Sequence, residues 1–193
     1  MDKKNQLAKL ATEMAADSSL PLSSNLVFGE GDLDALVLFI GEAPGYNEDI
    51  QKRPFVGRGG QLLNKILEAV GWKREDVYIT NIVKRRPPEN RDPLPDEIAA
   101  YQPYLTRQIE IINPPIIVTL GRFSMNYFLP EAKISRDHGK IFCVNGRLVY
   151  PIYHPAAALR NPNMMIEFQK DMKKLPSLVK KKDELLIRVR GEK

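Results

Sequence analysis

The stretch Gly41–Leu63, GEAPGYNEDIQKRPFVGRGGQLL, decides how the rest of the chain is arranged. The apolar run Ala35–Ile40 leads directly into it, and residues 62–70 carry apolar side chains at helical spacing. This order predicts a strand, a long glycine-rich loop and a helix. Sites in open α/β sheets form outside the carboxyl ends of strands, where such a loop lies, and its glycines let backbone N–H groups approach a ligand.

The composition excludes several classes of protein. A length of 193 residues predicts one domain over residues 1–193, with a basic helical tail at about 176–193 after a helix break at Pro176. Because no apolar stretch is long enough to span a membrane and the charged N-terminus has no signal-peptide core, we expect a cytoplasmic protein. The single cysteine, Cys143, excludes an internal disulfide and any multi-cysteine metal site. The net charge of +5 mildly favours an anionic partner.

The order of the remaining elements predicts the fold. The apolar runs Ala35–Ile40, Val77–Val83 and Pro115–Leu120 alternate with helical patterns. A closing strand, Arg147–Tyr153, follows the hairpin signal Asn145-Gly146. This alternation predicts an α/β fold, a three-layer α/β/α sandwich with a central, mostly parallel, four-stranded sheet. Four loops would then converge at one edge of the sheet: 41–60, 81–91, 121–124 and 154–162.

Three side chains at strand ends or in loops are candidates for recognising a planar base. The amide of Asn81 offers a donor and an acceptor that match the N3–H and O4 edge of uracil, although a local cap for the next loop is an alternative. His154 follows a strand and can hydrogen-bond a developing anion, or it can be a structural histidine tied to the backbone. Phe55 can stack on a base or anchor its loop to the core.

Charged residues on the same loops extend this hypothesis. Glu42 and Glu48 are candidate general bases or electrostatic stabilisers, although loop carboxylates are usually only solvated. Glu42 is the stronger candidate because it directly follows a buried strand, where a carboxylate is costly unless it is used or paired. A basic loop that can bind phosphates, or form a solvated charge run, carries Lys84, Arg85, Arg86 and Arg91. Together these features predict a pocket for a flipped-out base.

Three motifs occur in order over residues 27–162: GEAPG…EDI…RPFVGRGGQLL, TNIVKRRPPENRDPLPDEI and YHPAAALRNP. In this pattern the chain resembles the family-4, thermostable-type uracil-DNA glycosylases. The resemblance implies the α/β/α sandwich of that family and its activity, the flipping of uracil out of DNA and hydrolysis of the N-glycosidic bond in base excision repair. It also implies DNA containing uracil as the partner, and we expect the protein to act as a monomer.

The resemblance also implies roles for individual residues. Glu42 would place the attacking water, and His154 would lie near uracil O2. Related glycosylases have an aspartate at the position of Ala43, so the role of base falls to Glu42. Predicted contacts to the base come from Gly41, Ala43, Gly45, Glu48, Phe55 and Asn81, with Glu48 helping to reject the thymine methyl. Predicted contacts to DNA come from Lys84, Arg85, Arg86, Ser124, Leu159, Arg160 and Asn161, with Leu159 as a minor-groove wedge.

The chain departs from the family in one respect. The family pattern includes four cysteines that hold a [4Fe–4S] cluster, and here the second pair of positions holds Arg85 and Tyr101. The segment 16–22, where the first pair belongs, contains no cysteine. Because a cluster needs several thiolate ligands, we expect no cluster, no metal and no other cofactor. Tyr101 and apolar residues of the 16–24 loop would fill the volume, with Arg85 paired or reaching DNA.

Two alternatives to uracil excision stay open at this point. A degenerate glycosylase would bind uracil-containing or single-stranded DNA without cutting it. An enzyme with a changed pocket would act on other deaminated bases such as hypoxanthine or xanthine. The joint retention of Glu42, Phe55, Asn81 and His154 favours an active uracil-DNA glycosylase over the binding module.

Overall fold

The computed structural model describes residues 1–191, and within that range it contains eight α-helices and six strands. The helices are α1 (Lys3–Ala16), α2 (Tyr46–Gln51), α3 (Arg58–Ala69), α4 (Pro95–Ile112), α5 (Arg122–Phe128), α6 (Ile134–Asp137), α7 (Pro155–Ala158) and α8 (Pro162–Gly191). The strands are β1 (Glu30–Gly31), β2 (Val37–Gly41), β3 (Tyr78–Asn81), β4 (Ile116–Leu120), β5 (Phe142–Val144) and β6 (Arg147–Ile152). In this range no helix is both long and apolar enough to cross a membrane.

The sheet has six strands, two more than the four predicted, in the order β1-β3-β2-β4-β6-β5. The four central strands are parallel, which confirms the predicted parallel core, and the two short edge strands β1 and β5 pair antiparallel to their neighbours. β5 and β6 form the predicted hairpin, whose turn residues Asn145 and Gly146 have φ values of 50° and 77°. β3, the next strand in the sequence, lies on one side of β2, and β4, which follows β3, lies on the other side of β2. The carboxyl end of β2 is therefore the switch point at which such sheets bind ligands.

Alternating side chains of the sheet contact different helices. Val37 and Phe39 of β2 lie in a core with α3, α7 and α8, whereas Leu38 and Ile40 lie in a second core with α1 and α4. Successive residues of a strand point to opposite faces, so one fully apolar strand supplies both cores. This arrangement confirms the α/β/α sandwich.

The predicted helix break at Pro176 is wrong. α8 continues through Pro176 to Gly191, so the basic tail belongs to the same 30-residue helix up to that point, and residues 192–193 lie outside the described range. Leu175 and Leu178, on either side of the proline, are buried in the core. Their packing offsets the loss of about 3 kcal/mol that an interior proline causes. α4 likewise begins at Pro95 and continues past Pro103.

Candidate active site

A cleft of about 670 Å³ lies at the carboxyl ends of the parallel strands. Its lining comes from the loops that the sequence predicts to converge, after β2, β3, β4 and β6. The predicted residues among its lining are Glu42, Ala43, Gly45, Glu48, Phe55, Asn81, His154 and Arg160. The cleft therefore assembles most of the predicted base-binding and catalytic residues in one place.

Asn81, Gly41 and Phe55 are packed against one another at the floor of the cleft. Gly41 is paired with Asn81 in the register of β2 and β3, and a Cβ atom at Gly41 would collide with both Asn81 Oδ1 and the Phe55 ring. Only glycine therefore allows the amide and the ring to approach the end of β2 so closely. Asn81 is 1% exposed, and its Oδ1 atom has no hydrogen-bond partner among the residues that the structure describes. A buried acceptor without a partner is uncommon in folded proteins and marks this atom as a candidate ligand contact.

The loop that carries Phe55 has a constrained backbone. Phe55 has φ of 51°, in the left-handed region that non-glycine residues seldom adopt. Glu48 stabilises the next turn, because its Oε1 accepts hydrogen bonds from Val56 N at 2.9 Å and Gly57 N at 2.7 Å. On the other side, Gly60 of α3 leaves room for the Phe55 carbonyl, which a Cβ atom would overlap. Glu48 thus has a contact that the sequence does not predict, that of holding the aromatic loop.

Arg74 holds the same loop from beneath. Its guanidinium donates to the carbonyl oxygens of Pro54 and Phe55, the latter at 3.2 Å, and to Asn64 Oδ1 at 2.9 Å. Glu30 Oε1 accepts from Arg74 Nε at 2.9 Å and from Nη2 at 2.8 Å. The Arg74 side chain is 12% exposed, so this network is shielded from water. Sequence reasoning missed both residues, because a single arginine in a polar turn gives no pattern that distinguishes it from a solvated charge.

The His154 ring packs near the Phe55 ring, with 5.7 Å between the ring centroids and 34° between their planes. Its Nδ1 accepts a hydrogen bond from Ala156 N at 3.1 Å, and it caps α7 in this way. Burial of the ring, with the nearby charge of Arg160, lowers the pKa of His154 to about 4. At neutral pH the imidazole is therefore uncharged, and because Nδ1 accepts, the proton resides on Nε2. Nε2–H is then a hydrogen-bond donor available to a ligand.

Glu42 lies in the cleft wall directly after β2. Burial is the main cause that raises the pKa of Glu42 to about 7; the charge of Asp92 adds to the effect and that of Arg122 opposes it. Asp92 and Arg122 are themselves paired, with 2.6 Å between Oδ2 and Nη2. A carboxyl group with a pKa near neutrality is suited to general base catalysis. The sequence predicts Glu42 but gives no sign of the Asp92–Arg122 pair beside it.

Comparisons with known proteins identify the family of this chain. Residues 28–176 match the sequence model of the Uracil DNA glycosylase superfamily. The chain is 49% identical over 168 residues to the Type-4 uracil-DNA glycosylase of Saccharolobus solfataricus, which covers 82% of this chain and 78% of the relative. Proteins of the same name are 45% identical in Archaeoglobus fulgidus (84% of this chain, 86% of the relative) and in Thermotoga maritima (82% and 85%). The chain belongs to the type-4 uracil-DNA glycosylases.

Two of the predicted DNA contacts in this type-4 family member are wrong. Lys84 is fully buried, and its Nζ donates to Thr80 Oγ1 and Gln108 Oε1, each at 2.5 Å. Burial lowers the pKa of Lys84 well below its usual range. Ser124 is also fully buried, and its Oγ donates to the carbonyl oxygen of Leu120 at 3.0 Å within α5. Neither side chain can reach a phosphate, because folding places both of them beneath the surface.

The side chains of the other predicted DNA contacts are exposed or half-buried. Leu159 is 38% exposed at the end of α7, and Arg160 and Asn161 beside it are exposed. Asn161 Oδ1 also accepts from Asn163 N at 2.9 Å at the start of α8. Arg86 is half-buried and its guanidinium lies 5.1 Å from the centroid of the Tyr46 ring.

Arg85 and Tyr101 stand where the family pattern has its second pair of cluster cysteines, and here they form a hydrogen-bonded corner with the 16–24 loop. Arg85 donates to the carbonyl oxygen of Ser24, and Tyr101, which is fully buried, donates to the carbonyl oxygen of Pro21 at 2.7 Å. Burial is the main cause that raises the pKa of Tyr101 to about 12, and the nearby charge of Arg85 opposes it. Nothing in this donor set is a thiolate, and the single cysteine, Cys143, belongs to the edge strand β5. The residues present therefore do not fit a [4Fe–4S] cluster.

Proposed function

We propose that this protein removes uracil from DNA by hydrolysing the N-glycosidic bond and leaving an abasic site. The observation that carries the proposal is the unfilled acceptor at the floor of the cleft, Asn81 Oδ1. A buried acceptor costs stability unless a donor reaches it, and the N3–H group of a flipped uracil is such a donor. Family membership and the neighbouring Phe55 and His154 support the same substrate.

Recognition of the base uses its edge and its face. Asn81 Oδ1 accepts from uracil N3–H, while the amide nitrogen donates to O4. Cytosine lacks both the N3 proton and the O4 acceptor, so the same amide rejects it. Phe55 stacks on the ring of the base, and its constrained loop holds it in place before the substrate arrives. Exclusion of the thymine methyl by Glu48, which lines the cleft, stays a prediction.

Cleavage separates charge across the N1–C1′ bond. The bond breaks with its electron pair passing to the uracil ring, and C1′ acquires oxocarbenium character. His154 Nε2–H donates to the developing negative charge at O2 without giving up its proton. Water attacks C1′ to form the new C–O bond, and the Glu42 carboxylate orients that water and accepts its proton. The uracil anion takes a proton from solvent after it leaves.

The contacts to the DNA strand remain predictions of this proposal. Leu159, exposed beside the cleft, would fill the space that the uracil vacates. Arg160 and Asn161 would hold the adjacent strand, and Arg160 lines the cleft itself. Action as a monomer, inside the cell and as one domain stays a prediction from the sequence.

The proposal includes catalysis without an iron–sulfur cluster. Support comes from the sequence, which has one cysteine, and from Arg85 and Tyr101, which pair with the 16–24 loop at the positions that would carry thiolates. The proposed chemistry uses only side chains of this chain and water.

The test is a single-turnover assay on a labelled oligonucleotide that contains one uracil, with alkaline cleavage of the abasic product. The protein is purified aerobically, its iron content is measured, and it is assayed with and without a strong chelator. We expect strand cutting by iron-free protein, equal in both conditions. Parallel oligonucleotides with thymine, cytosine, hypoxanthine or xanthine at the same position provide the controls.

Each alternative has its own result. Binding of the uracil oligonucleotide without cutting would contradict the enzymatic proposal and favour a binding module. Faster cutting at hypoxanthine or xanthine than at uracil would assign the other substrate class. Iron at about four atoms per chain would contradict the cluster-free form.

A further inference from the structure

Tyr46 is an exposed aromatic residue at the rim of the cleft. It is the first residue of α2, its side chain is 58% exposed, and it belongs to the cleft lining. The Arg86 guanidinium lies over the ring at 5.1 Å from its centroid. The cation lies over one face of the ring, and more than half of the residue stays exposed.

Arg86 is held in this position by its neighbours. Its Nε donates to Asn90 Oδ1 at 2.6 Å, and its Nη1 lies 3.9 Å from Asp49 Oδ2. Asp49 is buried, and its Oδ1 accepts from Asn25 N at 2.8 Å, which fixes α2 to the loop before β1. Tyr46 and the positioned Arg86 together form a surface, here called the Tyr46–Arg86 shelf, and a surface that is partly preformed loses less freedom when it binds.

We propose that the Tyr46–Arg86 shelf stacks a second nucleobase, that of the nucleotide next to the flipped uracil on the same strand. The inference rests on the proposed function, because it takes the cleft beside the shelf as the uracil pocket. When uracil leaves the stack, its neighbour loses a stacking partner, and an open aromatic face at the pocket rim can replace it. Stacking on an aromatic ring tolerates any base, and Arg86 adds a positive charge that suits a nucleic acid strand.

Single-stranded DNA makes this contact most visible, because its bases have no complementary strand to hold them. The probe is a single-stranded oligonucleotide with one 2′-fluoro-2′-deoxyuridine, whose glycosidic bond resists cleavage, next to 2-aminopurine. Stacking quenches the fluorescence of 2-aminopurine, so the signal reports the shelf directly. The variants are Tyr46→Ala and Tyr46→Phe. The control is Ile50→Ala, one turn along the same helix, 61% exposed and not among the cleft-lining residues.

We expect Tyr46→Ala to raise the Kd for this probe about tenfold and to abolish the quenching. Tyr46→Phe, which keeps the ring, and Ile50→Ala should both behave like the wild type. If Tyr46→Ala binds the probe within about twofold of wild type and retains the quenching, the proposed stacking on the Tyr46–Arg86 shelf is wrong. An equal loss in Ile50→Ala would also overturn it, because the effect would then belong to the helix as a whole.

Cutting of an ordinary uracil oligonucleotide by wild-type protein is measured first. Wild-type protein that does not cut overturns the proposed function. Wild-type protein that cuts, while Tyr46→Ala binds and quenches as wild type does, overturns the shelf alone.

Discussion

Asn81 and Lys84 are both buried polar residues. Asn81 is the last residue of strand β3 and Lys84 follows three positions later, but the surroundings of the two side chains are opposite. The Asn81 acceptor has no partner in the described part of the chain, whereas the Lys84 amine donates to Thr80 and Gln108. They also belong to opposite faces of the sheet. Asn81 shares the face of Ile79, which packs in the core with α3, whereas Lys84 is hydrogen-bonded to Gln108 of α4. Pairing of Lys84 indicates a structural polar group, whereas an unpartnered acceptor that also lies in a cleft is a candidate ligand contact.

Asn81→Ala should give the largest functional effect of any change discussed here. We expect the single-turnover cutting rate to fall at least about 100-fold, because the site loses its hydrogen bonds to the base. The melting temperature should stay within about 2 °C of wild type, because no internal hydrogen bond to Asn81 Oδ1 is lost. Both are measured on the same preparation. If Asn81→Ala instead lowers the melting temperature strongly and cuts as wild type does, Asn81 is a structural residue and not a binding residue.

Glu42→Gln should reduce the rate by about two orders of magnitude and change its pH dependence. The pKa of Glu42 is raised to about 7, and the carboxylate is the active form, so the wild-type rate should rise with pH and level off above about 7. The variant should lack that acidic limb. A wild-type profile that is flat between pH 5.5 and 8.5 would contradict this role for Glu42.

The same carboxyl group has a consequence for stability. Its pKa in the folded protein exceeds the ordinary value, so folding favours the protonated form, and that contribution is lost as pH rises from about 4.5 to about 7. Glu42→Gln should therefore unfold at higher urea concentration than wild type at pH 8, with a gain on the order of 1 kcal/mol after allowance for partial exposure. At pH 4 the two proteins should have nearly equal midpoints.

Arg74→Met should lower the cutting rate about tenfold, because the carbonyls of Pro54 and Phe55 lose their shared donor and the stacking ring loses its position. Arg53→Met is the matched control: Arg53 also pairs with Glu30, but it is exposed and holds no loop carbonyl. The two variants are compared by single-turnover rate at saturating enzyme and by KM for the uracil strand.

Arg74→Lys, which keeps the charge but not the planar fork, should recover only part of the rate. Equal activity of Arg74→Met and Arg53→Met would remove Arg74 from the support of the site.

Lys84→Met should have the smallest functional effect, with cutting within about threefold of wild type. The pKa of Lys84 is lowered by burial, so its neutral form is favoured in the folded protein. That contribution to stability is fully present above the ordinary lysine value and is lost as pH falls toward the folded value. The stability of wild type relative to the variant should therefore decrease between pH 10.5 and pH 7 in urea unfolding. A constant difference across this range would show that Lys84 keeps its charge when buried.

The sequence predicts the sheet and the cleft because both depend on local patterns. Fully apolar strands, the Asn145-Gly146 turn and the glycine-rich loop each carry their own signal. It fails at Lys84 and Ser124, because a polar residue in a loop or short helix gives no sign of which face of the fold will cover it. It fails at Pro176 because packing of Leu175 and Leu178 outweighs helix propensity.

The supporting residues of the site were not predicted for a different reason: they form ion pairs between distant parts of the sequence. Arg74 and Glu30 are 44 positions apart, and the Asp92–Arg122 pair spans 30 positions. Long-range ion pairs have no periodicity, and both partners are ordinary surface residue types. Only the folded chain brings Arg74 under the Phe55 loop, so the positions that support a site are harder to predict than the site itself.

The corner formed by Tyr101, Arg85 and the 16–24 loop has a consequence for how the protein matures. Its bonds join side chains to the carbonyl oxygens of Pro21 and Ser24, so every component is supplied by translation alone. In the proposed cluster-free form, maturation of this corner would require no sulfur donor, no scaffold protein and no iron supply. Under the same proposal, superoxide and peroxide, which dismantle exposed clusters, would find no cluster to attack there, and we expect the denatured chain to rebuild the corner in aerated buffer.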